Sequence, residues 1–150
     1  MLLAVPLVGW LYWEYGVKTS EQRYFESQIP KLEAAGEEGV PLKEMTNFDW
    51  DVGCLIGPYG GFSREMHDGG KYKDYELDVG DVYSDSDRLW FVVFANNYKK
   101  RLTAINTHLR VNDSRKAHIC EIGKNYKAMI RQINGSKTVF FIKGNEGTYD

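Results

Sequence analysis

Neither sign of charge is in excess, cysteine is scarce, and no apolar run reaches the length of a full membrane-spanning helix. Nineteen basic residues stand against twenty-one acidic ones, for a formal charge of −2. Such a chain has no global field to gather a nucleic acid backbone, so nucleic acid is not an expected partner. No GxSxG, Walker loop, HExxH or GxGxxG occurs. Their absence removes the motif-based routes to hydrolase, nucleotide and zinc-protease chemistry, and no cofactor is expected. Apart from His118 and Cys120, Cys and His never fall at close ligand spacing, so no metal site is expected either. Repeats and low-complexity tracts are missing too. What is present is 43% hydrophobic and 14% aromatic residues, enough for a chain of this length to bury one core.

The apolar residues are concentrated first at the start, where Met1 to Trp13 carry no charge. At 1.5 Å per residue this run crosses only about two thirds of a ~30 Å hydrocarbon layer. Trp10, Tyr12, Trp13 and Tyr15 sit where an aromatic belt would mark the membrane boundary, and Lys18 and Arg23 follow it. No basic residue precedes the run, which speaks against a cleavable signal peptide. Residues 1–16 therefore read as the outer part of a membrane anchor or signal-like segment, and 17–150 as one globular domain. The alternative is an N-terminal element packed into a soluble cytoplasmic domain, with Pro6 and Gly9 disfavouring an uninterrupted helix.

The anchor bears on the two thiols. Outside the cytoplasm, Cys54 and Cys120 are a candidate disulfide closing a loop worth roughly 3–5 kcal/mol in the chain-entropy model. Inside it, they are two buried small hydrophobes.

Along the domain, Thr19-Ser20-Glu21-Gln22 is a capping box, and Phe25, Ile29 and Leu32 form an apolar stripe. Pro30 makes that helix kink, or end and restart, before Gly36 stops it. Alternation from Phe48 to Ile56 predicts a strand with Phe48, Trp50, Val52, Cys54 and Ile56 on one face. Gly57-Pro58-Tyr59-Gly60-Gly61 is turn chemistry, and 62–87 reads as irregular with one or two short edge strands. Arg88 to Ala95 suits a central strand buried on both faces, joined through 96–100 to a strand over 101–111. A strand is expected over 117–122, a short amphipathic helix over 125–133, and a last strand over 138–143. The fold class is α+β: a mainly antiparallel sheet of about five strands with an N-terminal helix and one further short helix.

The string Phe48-Asp49-Trp50-Asp51, followed by Cys54 and Gly57-Pro58-Tyr59, resembles a pattern of small uncharacterised bacterial envelope proteins. In these an N-terminal anchor or lipoprotein signal precedes a DWD strand and a GPY turn. The resemblance covers 48–59 plus the anchor and implies no activity. This chain has no lipoprotein-type cysteine near its start, so an acyl anchor is not implied.

Four groups of residues carry candidate chemistry. Asp49 and Asp51 are either paired carboxylates for acid-base or cation work, or the solvated face of a strand. His118 and Cys120 share strand parity and are a candidate catalytic dyad. Asp74, Glu76, Asp78, Asp81, Asp85 and Asp87 lack calcium-loop order and read as a solvated loop or an acidic contact surface. Tyr59, Phe62, Tyr72 and Tyr75, with Asp78 and Asp81, are the expected binding surface, since exposed aromatics mixed with charge suit recognition.

The resulting expectation is a non-enzymatic domain anchored to the bacterial cytoplasmic membrane and facing the periplasm or exterior. It would act by binding another envelope protein or a ligand, an immunity-like role being one concrete form. The alternative is a small hydrolase using the Cys/His pair or the paired carboxylates.

Overall fold

Thr19 opens the helical part, its Oγ1 accepting the Gln22 backbone N–H at 3.1 Å and filling one donor that a helix start leaves open. Helix α1 runs Ser20–Ser27 and α2 runs Ile29–Ala35. Pro30 lies in the first turn of α2, where the N–H it lacks has no intrahelical partner. The chain therefore ends one helix and begins another, as Pro30 implies, and Gly36 caps the second. The structure, a computed structural model, describes residues 8–9, 18–57, 60–77, 82–83, 90–107, 110–111 and 119–144. Apart from Val8 and Gly9, the anchor expected over 1–16 lies outside these, and no described helix is long and apolar enough to cross a membrane.

The described strands are β1 (Val40–Pro41), β2 (Val52–Ile56), β3 (Gly61–Phe62), β4 (Glu76–Leu77), β5 (Val82–Tyr83) and β6 (Trp90–Asn96). They continue as β7 (Arg101–Thr107), β8 (Arg110–Val111), β9 (Ile119–Ile122), β10 (Tyr126–Ile133) and β11 (Ser136–Lys143). A five-stranded sheet has the order β4-β7-β6-β2-β9, a four-stranded one β1-β10-β11-β8, and β3 pairs with β5 alone. Only β4–β7 and β11–β8 are parallel, so the fold is α+β with mostly antiparallel sheets.

Strand β6 is buried on both faces, as its unbroken apolar run requires. Val92 and Phe94 enter one core with Leu55, Ile105 and Ile122. That core is closed by Phe25 and Leu32 of the helices and by Val40, Ala128 and Val139 of the four-stranded sheet. Val93 and Ala95 point the other way, into a second core with Cys54, Ile56 and Leu102, covered by Phe62, Tyr72 and Tyr75. The five-stranded sheet is thus the middle layer.

Gln22 joins helix to sheet. Its Nε2 donates to the Asn106 carbonyl at 3.0 Å, and its Oε1 accepts the Asn106 N–H at 2.8 Å. Among the described residues β4 pairs with Arg101 and Leu102 of β7 alone, and the buried amide takes the place of a strand farther along this edge. Gln22→Ala leaves both backbone groups of Asn106 without that partner. It should destabilise the fold by about 1–3 kcal/mol, read as a lowered midpoint in chemical denaturation; a shift under about 0.5 kcal/mol would mean that water replaces the amide.

Two expectations are corrected. Residues 125–133 form no helix: Tyr126–Ile133 is strand β10, in register with β11 from Tyr126↔Lys143 to Ile133↔Ser136. Asn134 (φ 50°) and Gly135 (φ 77°) make the two-residue turn between them, a type I′ hairpin whose positive φ values suit Asn-Gly. The strand expected over 48–56 begins only at Val52. Phe48 and Trp50 join the first core, while Val52, Cys54 and Ile56 join the second, so the predicted common face is broken at Asp51.

Candidate functional site

Leu42 and Met45, both fully buried, flank a 3-10 turn over Leu42–Glu44 and leave Lys43 exposed between them. The chain then passes Thr46, whose Oγ1 accepts the Trp50 indole N–H at 3.0 Å and lies 3.3 Å from the Lys43 carbonyl. Trp50 is 2% exposed and its ring lies 4.8 Å from that of Phe94. Phe48, half-buried, meets the same Phe94 ring edge-on at 5.5 Å. Residues 43–50 are therefore pinned to the sheet through two aromatic contacts with Phe94, and the buried Trp50–Thr46 hydrogen bond braces the segment internally.

The β6–β7 hairpin is the second wall. Asn96 Nδ2 donates to the Asp49 carbonyl at 3.1 Å, and its Oδ1 accepts the Lys99 N–H at 2.8 Å. Asp51 is held by accepting the Asn97 N–H at 2.7 Å. The third wall is the turn between β9 and β10, closed by Tyr126 N–H donating to the Gly123 carbonyl at 3.1 Å. Lys124 stands on this turn with its Nζ 3.9 Å from Asp51 Oδ1.

Together these segments enclose an open groove of about 580 Å³ lined by Lys43, Thr46, Asn47, Phe48, Asp49, Trp50, Lys99 and Lys124. Its volume falls in the usual range for small-ligand sites. Three lysines and one aspartate are among its lining residues, an excess of basic residues on a chain whose net charge is negative. Lys43 and Lys99 form no ion pair among the described residues, and the Asp49 carboxylate has no partner there either.

The candidate residues are scattered by this arrangement. Asp49 lines the groove, whereas Asp51 is not among its lining residues and instead accepts the Asn97 N–H and faces the Lys124 ammonium. The two do not form a shared acid-base pair in one concavity. Cys54 and Cys120 are joined by a disulfide with their Cα atoms 4.0 Å apart, which leaves Cys120 no thiolate to act as a nucleophile. Tyr59, Asp78, Asp81 and His118 lie outside the described residues.

Phe62, Tyr72 and Tyr75 are core, not surface: Phe62 and Tyr72 are fully buried and Tyr75 nearly so. The segment carrying them folds over the second face of the five-stranded sheet, whose apolar side chains need cover. Tyr75 donates its hydroxyl proton to Asn97 Oδ1 at 2.9 Å, tying that segment to the hairpin tip. Burial, then the nearby Asp68 carboxylate and Tyr75, raise the Tyr72 phenol above its ordinary pKa. Lys43, Lys99 and Lys124 were not marked by any sequence signal, because they stand on three separate segments with no spacing to connect them.

Comparison with known protein families, with curated proteins and with solved structures finds no match to this chain.

Proposed function

We propose that this chain is an extracytoplasmic binding domain, tethered to the outer face of a bacterial cytoplasmic membrane through residues 1–16. It holds another molecule rather than transforming it. The Cys54–Cys120 disulfide carries this reading, because structural disulfides persist in oxidising compartments and are rare in the cytosol. The uncharged run from Met1 to Trp13 supports the tether. The groove between Lys43, Lys99 and Lys124 supports the binding role, as a concavity whose walls are held by fixed hydrogen bonds.

The disulfide speaks against the cysteine form of the hydrolase alternative, and the groove lining, which includes Asp49 but not Asp51, speaks against its carboxylate form. Fractionation of bacteria expressing the full chain tests the proposal, combined with thiol alkylation before and after reduction. The expected result is protein in the membrane fraction, digested by protease added to spheroplasts, with no alkylatable thiol until it is unfolded and reduced. Protein found wholly in the cytosol with two free thiols would overturn it.

A further inference from the structure

The groove has two features that together narrow what it holds. Lys43, Lys99 and Lys124 all line one concavity. Only Lys124 has a carboxylate near it among the described residues, Asp51 at 3.9 Å. A cluster of cations in a concave site raises the local concentration of anions and favours a carboxylate or phosphate. A bare anion, however, would also meet Asp49 in the same lining, whose carboxylate has no partner among the described residues, and like charges disfavour that approach.

The contradiction is resolved by a ligand with an anionic group at one end and hydrogen-bond donors at the other. Hydroxyls donate well to a carboxylate, and Asn47, exposed in the same lining, supplies both a donor and an acceptor. Phe48 adds a half-buried aromatic ring against which a C–H face can lie. Anionic charge, several hydroxyls and a C–H face together describe an acidic sugar.

We propose that this groove binds a sugar bearing a phosphate or carboxylate group. The lysines take the anion, Asp49 and Asn47 take the ring hydroxyls, and Phe48 lies against the ring. This deepens the binding-domain reading and rests on it only in that the ligand is held and not converted.

The test is titration of the full chain, 15N-labelled in a non-ionic detergent, with glucose 6-phosphate, glucuronate, glucose and inorganic phosphate. Saturable shifts of the residue 43–50, 96–99 and 123–125 amides are expected with glucose 6-phosphate or glucuronate, tighter than with either half-ligand, glucose or phosphate. Response to only one of the two acidic sugars tells whether phosphate or carboxylate is preferred. Lys43→Gln and Lys99→Gln should each weaken binding about fivefold, the equivalent of one exposed charge pair. Asp49→Asn should weaken glucose 6-phosphate but leave inorganic phosphate unchanged or tighter.

All three side chains are solvent-exposed, so the variants' amide spectra should otherwise match the parent. Inorganic phosphate binding as tightly as the sugar phosphate, or no shift in the groove at about 20 mM ligand, well past the millimolar range of weak sites, would overturn the proposal. Either failure is separable from that of the binding-domain reading, which fails by fractionation and thiol state.

Discussion

Replacing Cys54 and Cys120 together by alanine should lower the stability of the domain by about 4 kcal/mol. The sequence separation of 66 sets that value, since the cross-link removes the freedom of a long loop from the unfolded chain. The folded state adds a reason for the loss to be felt. Among the described residues strand β9 is an edge of the five-stranded sheet and pairs with β2 only at Gly53↔Ile122 and Leu55↔Ile119, with an irregularity between them. The disulfide fastens this sparse ladder at its middle. A domain of this length has about 5–15 kcal/mol in total, so the variant keeps its fold with a much lower denaturation midpoint. Guanidinium titration of the oxidised chain, the reduced chain and the double variant measures the effect. Equal midpoints for the oxidised chain and the variant would show that the unfolded state is already compact enough to need no tether.

How far such a fold is legible depends on whether a residue's environment is set by its neighbours in sequence. Strand β6 was legible because its buried centre, Val92 to Ala95, faces a core on each side and must read as a continuous apolar run. Thr19 and Pro30 were legible because capping and the missing proline N–H act within one turn. Strand β10 was not: Tyr126, Met129, Ile130 and Ile133 fall at helical spacing. The residues facing the main core are Tyr126, Ala128 and Ile130, at period two. The stronger signal was the Asn134-Gly135 turn before a β-branched and aromatic run, which specifies a hairpin whatever precedes it.

The second core was hidden for a different reason. Phe62, Tyr72 and Tyr75 lie in a segment of glycines and acids without periodicity, and only the apolar back of the sheet dictates that their rings turn inward. The groove lysines were least legible of all. Each is an ordinary exposed lysine locally, and the site exists only because Trp50 and Asp51 bring the residue 43–50 segment, the hairpin tip and the β9–β10 turn together.

That dependence makes Trp50 the position where the largest single-residue loss is expected. Trp50→Ala removes a nearly fully buried indole from the first core and breaks the hydrogen bond to Thr46. It should destabilise the domain by about 3–5 kcal/mol, the usual range for truncating a large buried aromatic. Trp50→Phe keeps much of the ring but not the N–H, and should cost nearer 1 kcal/mol, close to one buried hydrogen bond. Thr46 Oγ1 keeps its 3.3 Å contact with the Lys43 carbonyl, so the hydroxyl is not left without any partner. Phe94→Leu, made alone and with Trp50→Ala, closes a double-mutant cycle. The rings are 4.8 Å apart at 51°, and a coupling of about 1 kcal/mol is expected beyond the separate losses. Urea denaturation supplies all four free energies. Strict additivity would mean that the indole stabilises the core by area alone.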